Sequence, residues 1–303
     1  MGAGLAERYF EAASAFSLAD GILPKLWGSD ESLMTLCFQG PEDKLRQTVY
    51  AQPALYTTSA AALDALRAAG VPPPEAVAGH SVGEYAALLA AGAFDFETGL
   101  RLVTRRAQEM QRAAEASSGT MAAVLGLAPE IVVEVCRTVS EQTGTVVDAA
   151  NFNSPAQVVI SGEVAAVEAA GALAKERGAK KIVILNVSGA FHSRLMTPAA
   201  DAMRAVIAEA NFAKPAVPIV ANLSADYVDT ADGARAGLVA QIDHPVRWHE
   251  SMERMVADGF DTFIEVGHGN VLSGLLKRLA PEATLLSTST PDDVEKCVQA
   301  LVK

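Results

Sequence analysis

A serine stands between two glycines in the segment GHSVG, residues 79–83. The apolar residues 76–78 before it favour a short strand, and the Ala- and Leu-rich residues after it favour a helix. A G-x-S-x-G sequence at a strand-to-helix turn is typical of a nucleophile elbow, which exposes the serine oxygen beside backbone N–H groups that can stabilise an oxyanion. Ser81 is therefore a candidate nucleophile, and a chance Gly-Ser turn is the alternative.

A serine hydroxyl needs a base to attack at neutral pH, and the sequence has five histidines. His80 adjoins Ser81, and we expect its side chain to point away from the serine oxygen. His192, in the segment SGAFHS, lies at the junction of two predicted domains, where clefts form. The other histidines fit surface, capping or strand-end positions: His244, His249 and His268. Spacing favours His192 without excluding the others, because a triad is defined by geometry and not by sequence order.

Two adjacent arginines, Arg105 and Arg106, lie on the predicted helix after the elbow helix. A solvated pair of charges is the ordinary interpretation of such a pair. The alternative is that one guanidinium binds a substrate carboxylate through two parallel hydrogen bonds.

The elements that must position these residues alternate between strands and helices at both ends of the chain, which indicates a mostly parallel sheet covered on both faces. Between them, residues 119–187 follow the order strand–helix–strand–strand–helix–strand, which is the ferredoxin-like order. We therefore expect an α/β core made of residues 1–115 and 190–303, with a ferredoxin-like subdomain inserted at residues 116–189.

Composition excludes several classes of protein. The 303 residues are 50% hydrophobic and carry a formal net charge of −12, which provides a large core and argues against binding nucleic acid. The three cysteines lie far apart and form neither a disulfide framework nor a zinc pattern, so we expect no metal. No stretch approaches the roughly 20 apolar residues of a membrane span, and no export signal is recognisable. We expect a soluble cytoplasmic protein that does not bind membranes.

Six segments occur in the same order as in the malonyl-CoA:acyl carrier protein transacylases of fatty acid synthesis, and the resemblance covers essentially the whole chain. The segments are GHSVGEYAAL, RLVTRRAQEMQ, TMAAVLGL, NFNSPAQVVISG, VSGAFHS and EVGHGNVLSGLL. The resemblance implies an α/β-hydrolase-like core with the ferredoxin-like subdomain. It also implies an enzyme that moves a malonyl group from coenzyme A to the phosphopantetheine thiol of acyl carrier protein through a malonyl-serine. Malonyl-CoA is then a substrate, no cofactor is expected, and we expect a monomer.

The resemblance implies catalytic roles for four residues. Ser81 resembles the family's nucleophile and His192 its base. Gln241 resembles the residue whose main-chain carbonyl holds that histidine, and a carbonyl can fix the imidazole tautomer as an aspartate does. Val82 follows the nucleophile, so its N–H is expected to donate to the oxyanion.

Substrate-binding roles follow from the same resemblance. Arg106 matches the family's carboxylate-binding arginine, whereas Arg105 does not. His80 and Asn151 lie in matching segments and are expected to contact substrate. The Phe191 ring is expected to fill the space that a branching methyl group needs, which favours malonyl over methylmalonyl groups.

One family segment, a strand followed by Phe-Pro-Gly-Gln-Gly, has no counterpart in the sequence as given. Its glutamine lines the oxyanion hole, and losing one oxyanion donor typically costs about 10²–10³ in rate. We therefore expect weaker activity from this sequence than from a complete relative. Three alternatives stay open: an acyltransferase serving a polyketide synthase, a simple esterase, and a catalytically impaired carrier-binding protein.

An acidic carrier protein is expected to need a local basic surface on this acidic chain. The candidate docking residues are Lys175, Arg177, Lys180, Lys181, Lys277 and Arg278. A solvated rim of charges is the alternative interpretation.

Overall fold

The structure is a computed structural model, and it describes residues 1–302. The helices are Ala3–Arg8 (α1), Phe10–Trp27 (α2), Leu33–Gln39 (α3), Glu42–Leu45 (α4), Thr48–Ala68 (α5), Gly83–Ala90 (α6), Phe96–Ala116 (α7), Pro129–Thr143 (α8), Val164–Glu176 (α9), Thr197–Glu209 (α10), Ala231–Ala240 (α11), Trp248–Ala257 (α12), Val271–Leu279 (α13) and Pro291–Leu301 (α14). The strands are Val77–Ala78 (β1), Gly119–Leu125 (β2), Val147–Ser154 (β3), Gln157–Glu163 (β4), Lys181–Ile184 (β5), Ile219–Val220 (β6), Tyr227–Val228 (β7), Thr262–Glu265 (β8) and Thr284–Ser287 (β9).

The core strands form two small sheets that are mainly parallel. β1 pairs in parallel with β6, and β7 pairs antiparallel with the other edge of β6. β8 and β9 form a separate parallel pair. β1 and β6 are two residues each, and residues of the site follow them closely: Ser81 lies three residues after β1 and Asn222 two residues after β6. The predicted α/β fold class is confirmed.

Helices α2, α5 and α7 pack through alanine-rich faces in the largest apolar cluster of the core. On α5, the residues Ala60, Ala61, Ala62 and Ala65 are all buried. Small side chains let helices approach closely, so the high alanine content of the sequence is used in the contacts between helices. This packing sets α7 alongside α5 and brings Arg106 of α7 next to Gln52 of α5.

The subdomain is one antiparallel sheet with strand order β3-β4-β2-β5, and the order of its elements along the chain is β2-α8-β3-β4-α9-β5. This is the predicted ferredoxin-like arrangement. Helices α8 and α9 cover the sheet with a second apolar cluster that includes Val132, Val139 and Val167. The boundaries given above for the subdomain stay a prediction.

The subdomain is fastened to the core at the edge of β3. The Val246 N–H donates to the Ala150 carbonyl and the Phe152 N–H donates to the Val246 carbonyl, each over 2.9 Å. The guanidinium of Arg194 pairs with the Asp148 carboxylate at 2.9 Å, two residues beyond His192. These contacts fix the position of the His192 turn relative to both parts of the molecule.

Helix α11 is difficult to recognise from the sequence. Helix α11 contains Gly233 and Gly237 within ten residues, and glycine lowers helix propensity. Its signal is the capping residue Thr230, whose side chain accepts from the Gly233 N–H. Within residues 1–302, no helix combines the length and the apolar character needed to cross a membrane.

Candidate active site

The turn that carries Ser81 requires small residues and a positive backbone dihedral. A Cβ on Gly79 would lie 2.1 Å from the Gly83 backbone, so only glycine fits there. Ser81 itself has φ of 53°, a left-handed conformation that a residue with a side chain adopts only when its surroundings enforce it. Asn222 enforces it: the Asn222 Oδ1 accepts from the Ser81 N–H at 2.7 Å, and its Nδ2 donates to the Gly79 carbonyl. Because Asn222 follows β6, the neighbour of β1, the pairing of the two strands positions this clamp.

His192 lies in a second left-handed turn, with φ of 59°. Its Nε2 is 2.7 Å from the Ser81 Oγ, although the two residues are 111 positions apart. The main-chain carbonyl of Gln241 lies 2.7 Å from Nδ1 on the other side of the ring. A carbonyl only accepts hydrogen bonds, so Nδ1 carries the proton and Nε2 is free to accept the hydroxyl proton of Ser81. The arrangement is that of a nucleophile and an oriented base.

The charge state of His192 is set by its surroundings. Burial and, second to it, the nearby positive charge of Arg106 lower its pKa to about 3, although the hydrogen bond to the Gln241 carbonyl opposes both. His192 is therefore neutral at physiological pH, which is the state a general base requires.

Arg106 lies against the nucleophile and is almost entirely buried. Its Nη2 donates to the Ser81 Oγ at 3.1 Å and to the Gln241 Oε1 at 2.8 Å, and its Nη1 donates to the Gln52 Oε1. The Arg106 Nε is buried without a hydrogen-bond partner among residues 1–302. Since these partners are neutral, the guanidinium has no direct carboxylate partner in the described structure, and it is suited to binding an anionic group beside Ser81.

The neighbouring Arg105 points elsewhere. Its guanidinium pairs with the Glu109 carboxylate at 2.6 Å, and its side chain is 42% exposed. Adjacent residues of a helix point in different directions. Arg105 therefore forms a surface ion pair, whereas Arg106 lies in the site.

The remaining predicted site residues surround this centre. The His80 Nε2 is 2.9 Å from the Asn153 Oδ1, and its ring lies 5.6 Å from that of Trp248. Asn151 is buried at the bridge between β3 and Val246. Phe191 is half-buried and packs against both the core and the subdomain. The roles of these three residues toward substrate, like the oxyanion role of Val82, stay predictions.

Sequence reasoning missed four polar contributors: Gln52, Glu84, Asn222 and the side chain of Gln241. Each is buried, and the four come from four separate segments. Asn222 had a recognisable signal, because it lies two residues after β6, and polar residues at the carboxyl ends of parallel strands line the crevice where α/β sites form. Gln52 and Glu84 lie on helices and give no such signal.

Comparison with known proteins agrees with this geometry. The family model described as acyl transferase domain matches residues 1–300. The malonyl CoA-acyl carrier protein transacylase of Bacillus subtilis (strain 168) is 40% identical over 301 residues, which cover 99% of this chain and 92% of that protein.

Two solved structures extend the comparison. The malonyl CoA-acyl carrier protein transacylase from Coxiella burnetii superposes with a TM-score of 0.93 at 35% identity, covering 100% of this chain and 93% of the other. A malonyl-transacylase solved in complex with its type II PKS acyl-carrier protein gives a TM-score of 0.93 at 36% identity, covering 99% and 94% of the two chains.

The fold places a nucleophile and a base within hydrogen-bonding distance, which is the geometry that an acyl-serine mechanism requires. The chain belongs to the acyl transferase domain family, whose model spans nearly its whole length. The resemblance drawn from the six sequence segments is confirmed, and the chain is an acyltransferase.

Proposed function

We propose that this chain transfers a malonyl group from malonyl-CoA to the phosphopantetheine thiol of acyl carrier protein in fatty acid synthesis. One observation carries the proposal: the Ser81 Oγ is contacted both by the His192 Nε2 at 2.7 Å and by the Arg106 Nη2 at 3.1 Å. The base and a cation that can bind a carboxylate both lie within hydrogen-bonding distance of the nucleophile. This arrangement fits an acyl group that itself carries a carboxylate.

The first half-reaction forms the acyl-serine. The Ser81 Oγ attacks the thioester carbonyl carbon while its proton moves to the His192 Nε2. The resulting oxyanion accepts a hydrogen bond from the Val82 N–H. When the carbon–sulfur bond breaks, the coenzyme A sulfur takes the proton from His192 and leaves as a thiol.

Arg106 selects the acyl group in this scheme. The malonyl carboxylate accepts hydrogen bonds from the guanidinium and replaces its contact with Ser81. An acetyl group has no carboxylate and leaves a buried cation with neutral partners only, so malonyl transfer is favoured over acetyl transfer.

The second half-reaction repeats the proton transfers with a different thiol. His192 takes the proton of the carrier protein's phosphopantetheine thiol, and the sulfur attacks the acyl-serine carbonyl. The Ser81 oxygen then leaves and recovers its proton from His192. Every proton moves between the reacting atoms and one imidazole, so we propose that no cofactor is needed.

The test is a two-stage transfer assay. We expect malonyl-CoA to place a malonyl group on Ser81, seen by intact mass, and added holo-carrier protein to remove it as malonyl-carrier. Ser81→Ala forms no adduct. Rapid turnover of p-nitrophenyl esters with no transfer to thiols would instead support the esterase, and no adduct in the unaltered chain would support a carrier-binding protein without catalysis.

We propose that the carrier protein docks on exposed lysines and arginines of β5, α9 and α13. Lys181, Lys277 and Arg278 are exposed and form no ion pair within residues 1–302, whereas Arg177 pairs with Glu134 at 3.5 Å. Replacing Lys180 and Lys181 by glutamate is expected to raise the KM for carrier protein and to weaken its salt dependence. Unchanged carrier kinetics across salt concentrations would contradict this docking surface.

A cytoplasmic location and a monomeric state stay predictions. The carrier of a polyketide synthase is the alternative acceptor, because one structural neighbour was solved with a type II PKS acyl-carrier protein. Competition between the two kinds of carrier protein for the same malonyl-enzyme distinguishes them.

A further inference from the structure

A buried carboxyl group beside the site has no part in the scheme above. Glu84 lies in the first turn of α6, three residues after Ser81, and is 3% exposed. It forms no direct ion pair within residues 1–302. Burying a carboxyl is unfavourable unless hydrogen bonds compensate, so its contacts are informative.

Glu84 contacts the side-chain amide of Gln241. The Gln241 Nε2 donates to the Glu84 Oε2 at 3.2 Å and to the Ser81 main-chain carbonyl at 3.0 Å. The opposite end of the same amide, Oε1, accepts from the Arg106 Nη2 at 2.8 Å. Glu84 and Arg106 therefore lie at the two ends of one amide group.

The two ends of an amide are not interchangeable. An inverted Gln241 amide would turn N–H donors toward the Arg106 guanidinium, which has only donors, and its oxygen toward two acceptors. The carboxyl of Glu84 and the Ser81 carbonyl both act as acceptors for Nε2, so together they fix the orientation in which Oε1 faces Arg106.

We propose that Glu84 is a positioning residue for acyl-group selection, which holds Arg106 in its place beside Ser81 by fixing the orientation of the Gln241 side-chain amide. The inference rests on the proposed function, because it concerns how the carboxylate-binding guanidinium is held. Glu84 itself touches neither the nucleophile's oxygen nor the base.

The ionisation of Glu84 is compatible with this role. Burial raises its pKa to about 7, while hydrogen bonds from Gln241 and from the Asn222 backbone and the charge of Arg106 oppose the rise. A carboxyl group keeps an acceptor oxygen in either protonation state, so the contact with Gln241 persists. The first turn of α6 also favours a carboxyl at this position.

The test compares three substitutions at position 84 by the ratio of kcat/KM for malonyl-CoA to that for acetyl-CoA. Glu84→Met keeps the length of the side chain and removes the acceptor, and we expect the ratio to fall about 10-fold. Glu84→Gln retains an acceptor oxygen, so the ratio is expected to stay within about threefold. Glu84→Asp retains the charge, but its side chain is one methylene shorter, so the acceptor lies farther from the Gln241 amide. We expect this variant to lose more selectivity than Glu84→Gln.

Two controls separate positioning from a merely structural role. The rate at which a neutral sulfonyl fluoride labels Ser81 depends on Ser81 and His192, and we expect Glu84→Met to leave it within about threefold. Glu109→Met removes another buried carboxyl, on α7 and outside the site, and is expected to leave the acyl ratio unchanged.

Several outcomes would overturn the inference. An unchanged ratio in Glu84→Met, or a sulfonyl fluoride rate that falls as far as malonyl transfer, would show that Glu84 does not position Arg106. Should Glu84→Met not fold, full selectivity in Glu84→Asp with loss in Glu84→Gln would show that the charge acts and not the hydrogen bond. A total lack of acyl-serine from malonyl-CoA in the unaltered chain would overturn the proposed function as well.

Discussion

Two groups of arginine and glutamate side chains near α6 and α7 differ in how their charges meet. On the outer side of α7, Arg105 and Arg112 both pair directly with Glu109, at 2.6 Å each. In the site, Arg106 and Glu84 are separated by the Gln241 amide, and Gln52 supplies a second neutral acceptor.

The difference fits the anion-binding role proposed for Arg106. A direct carboxylate partner would satisfy Arg106, and an incoming substrate carboxylate would have to displace it. Neutral amide oxygens hold the guanidinium in position while leaving most of its charge uncompensated. The outer pairs join the buried carboxylate of Glu109 to two exposed guanidinium groups, and solvent at the arginine ends keeps their contribution near that of surface pairs, about 0–1 kcal/mol.

The strongest test of this difference replaces each arginine in turn. Arg106→Ala is expected to lower kcat/KM for malonyl transfer by about 10²-fold or more, because it removes a desolvated charge contact with substrate. Arg105→Ala is the matched control, one residue away on the same helix, and is expected to change the rate less than about threefold. Equal losses in both variants, measured by transfer to holo-carrier protein, would contradict the assignment.

Removing the Arg106 charge is also expected to change the pH dependence of the base. Burial and the Arg106 charge hold the pKa of His192 near 3, and His192 can accept a proton only above its pKa. Labelling of Ser81 by a neutral sulfonyl fluoride is therefore expected to show no His192-dependent loss until the pH falls well below 5. In Arg106→Ala the pKa rises toward the ordinary value near 6.5, so the loss moves to higher pH. Identical profiles would show that the charge does not act on the base.

Substitution of Gln52 tests whether neutral hydrogen-bond acceptors hold the Arg106 guanidinium in place. Gln52→Leu removes the acceptor for the Arg106 Nη1 and keeps a side chain of similar bulk, so Arg106 loses one of its neutral partners. We expect malonyl transfer to fall about 10-fold while acetyl transfer changes little. The measurement is kcat/KM with each acyl-CoA, and a larger loss for acetyl-CoA would contradict this account.

A substitution among Arg105, Glu109 and Arg112 on the outer side of α7 is expected to give the smallest effect. Glu109→Gln weakens two ion pairs whose arginines are exposed, so the free energy of unfolding is expected to fall by about 1 kcal/mol or less, with unchanged transfer rates. Urea denaturation measures the first quantity. A loss of activity comparable to that of Gln52→Leu would remove the distinction between the two groups.

The parts of the site that sequence reasoning reached are those with local causes. The Ser81 turn was predictable because Gly79, where a Cβ would clash with the Gly83 backbone, lies within the same five residues. Spacing left His192 as one of several histidines, because its partners Ser81 and Gln241 are 111 and 49 positions away, and only the family resemblance singled it out. The strand and helix order of the subdomain was predictable from alternating apolar segments.

The hydrogen bonds from Arg106 to two side-chain amides were not predictable in the same way. Gln52 lies in the second turn of α5 and Gln241 directly after the glycine-containing helix α11, and neither segment shows a pattern that indicates a buried polar group. Their orientation results from the packing of α5, α7 and α11 around the elbow, which is a property of the tertiary structure. The same holds for Glu84, which from sequence alone is an ordinary acidic residue in the first turn of a helix.

The most direct test of the central claim is to offer malonyl-CoA and acetyl-CoA together in equal amounts and to identify the acyl group on Ser81 by peptide mapping. The unaltered chain is expected to carry malonyl almost alone, and Arg106→Ala is expected to lose that preference. A malonyl preference that survives in Arg106→Ala, or an acyl group found on any residue other than Ser81, would contradict the account.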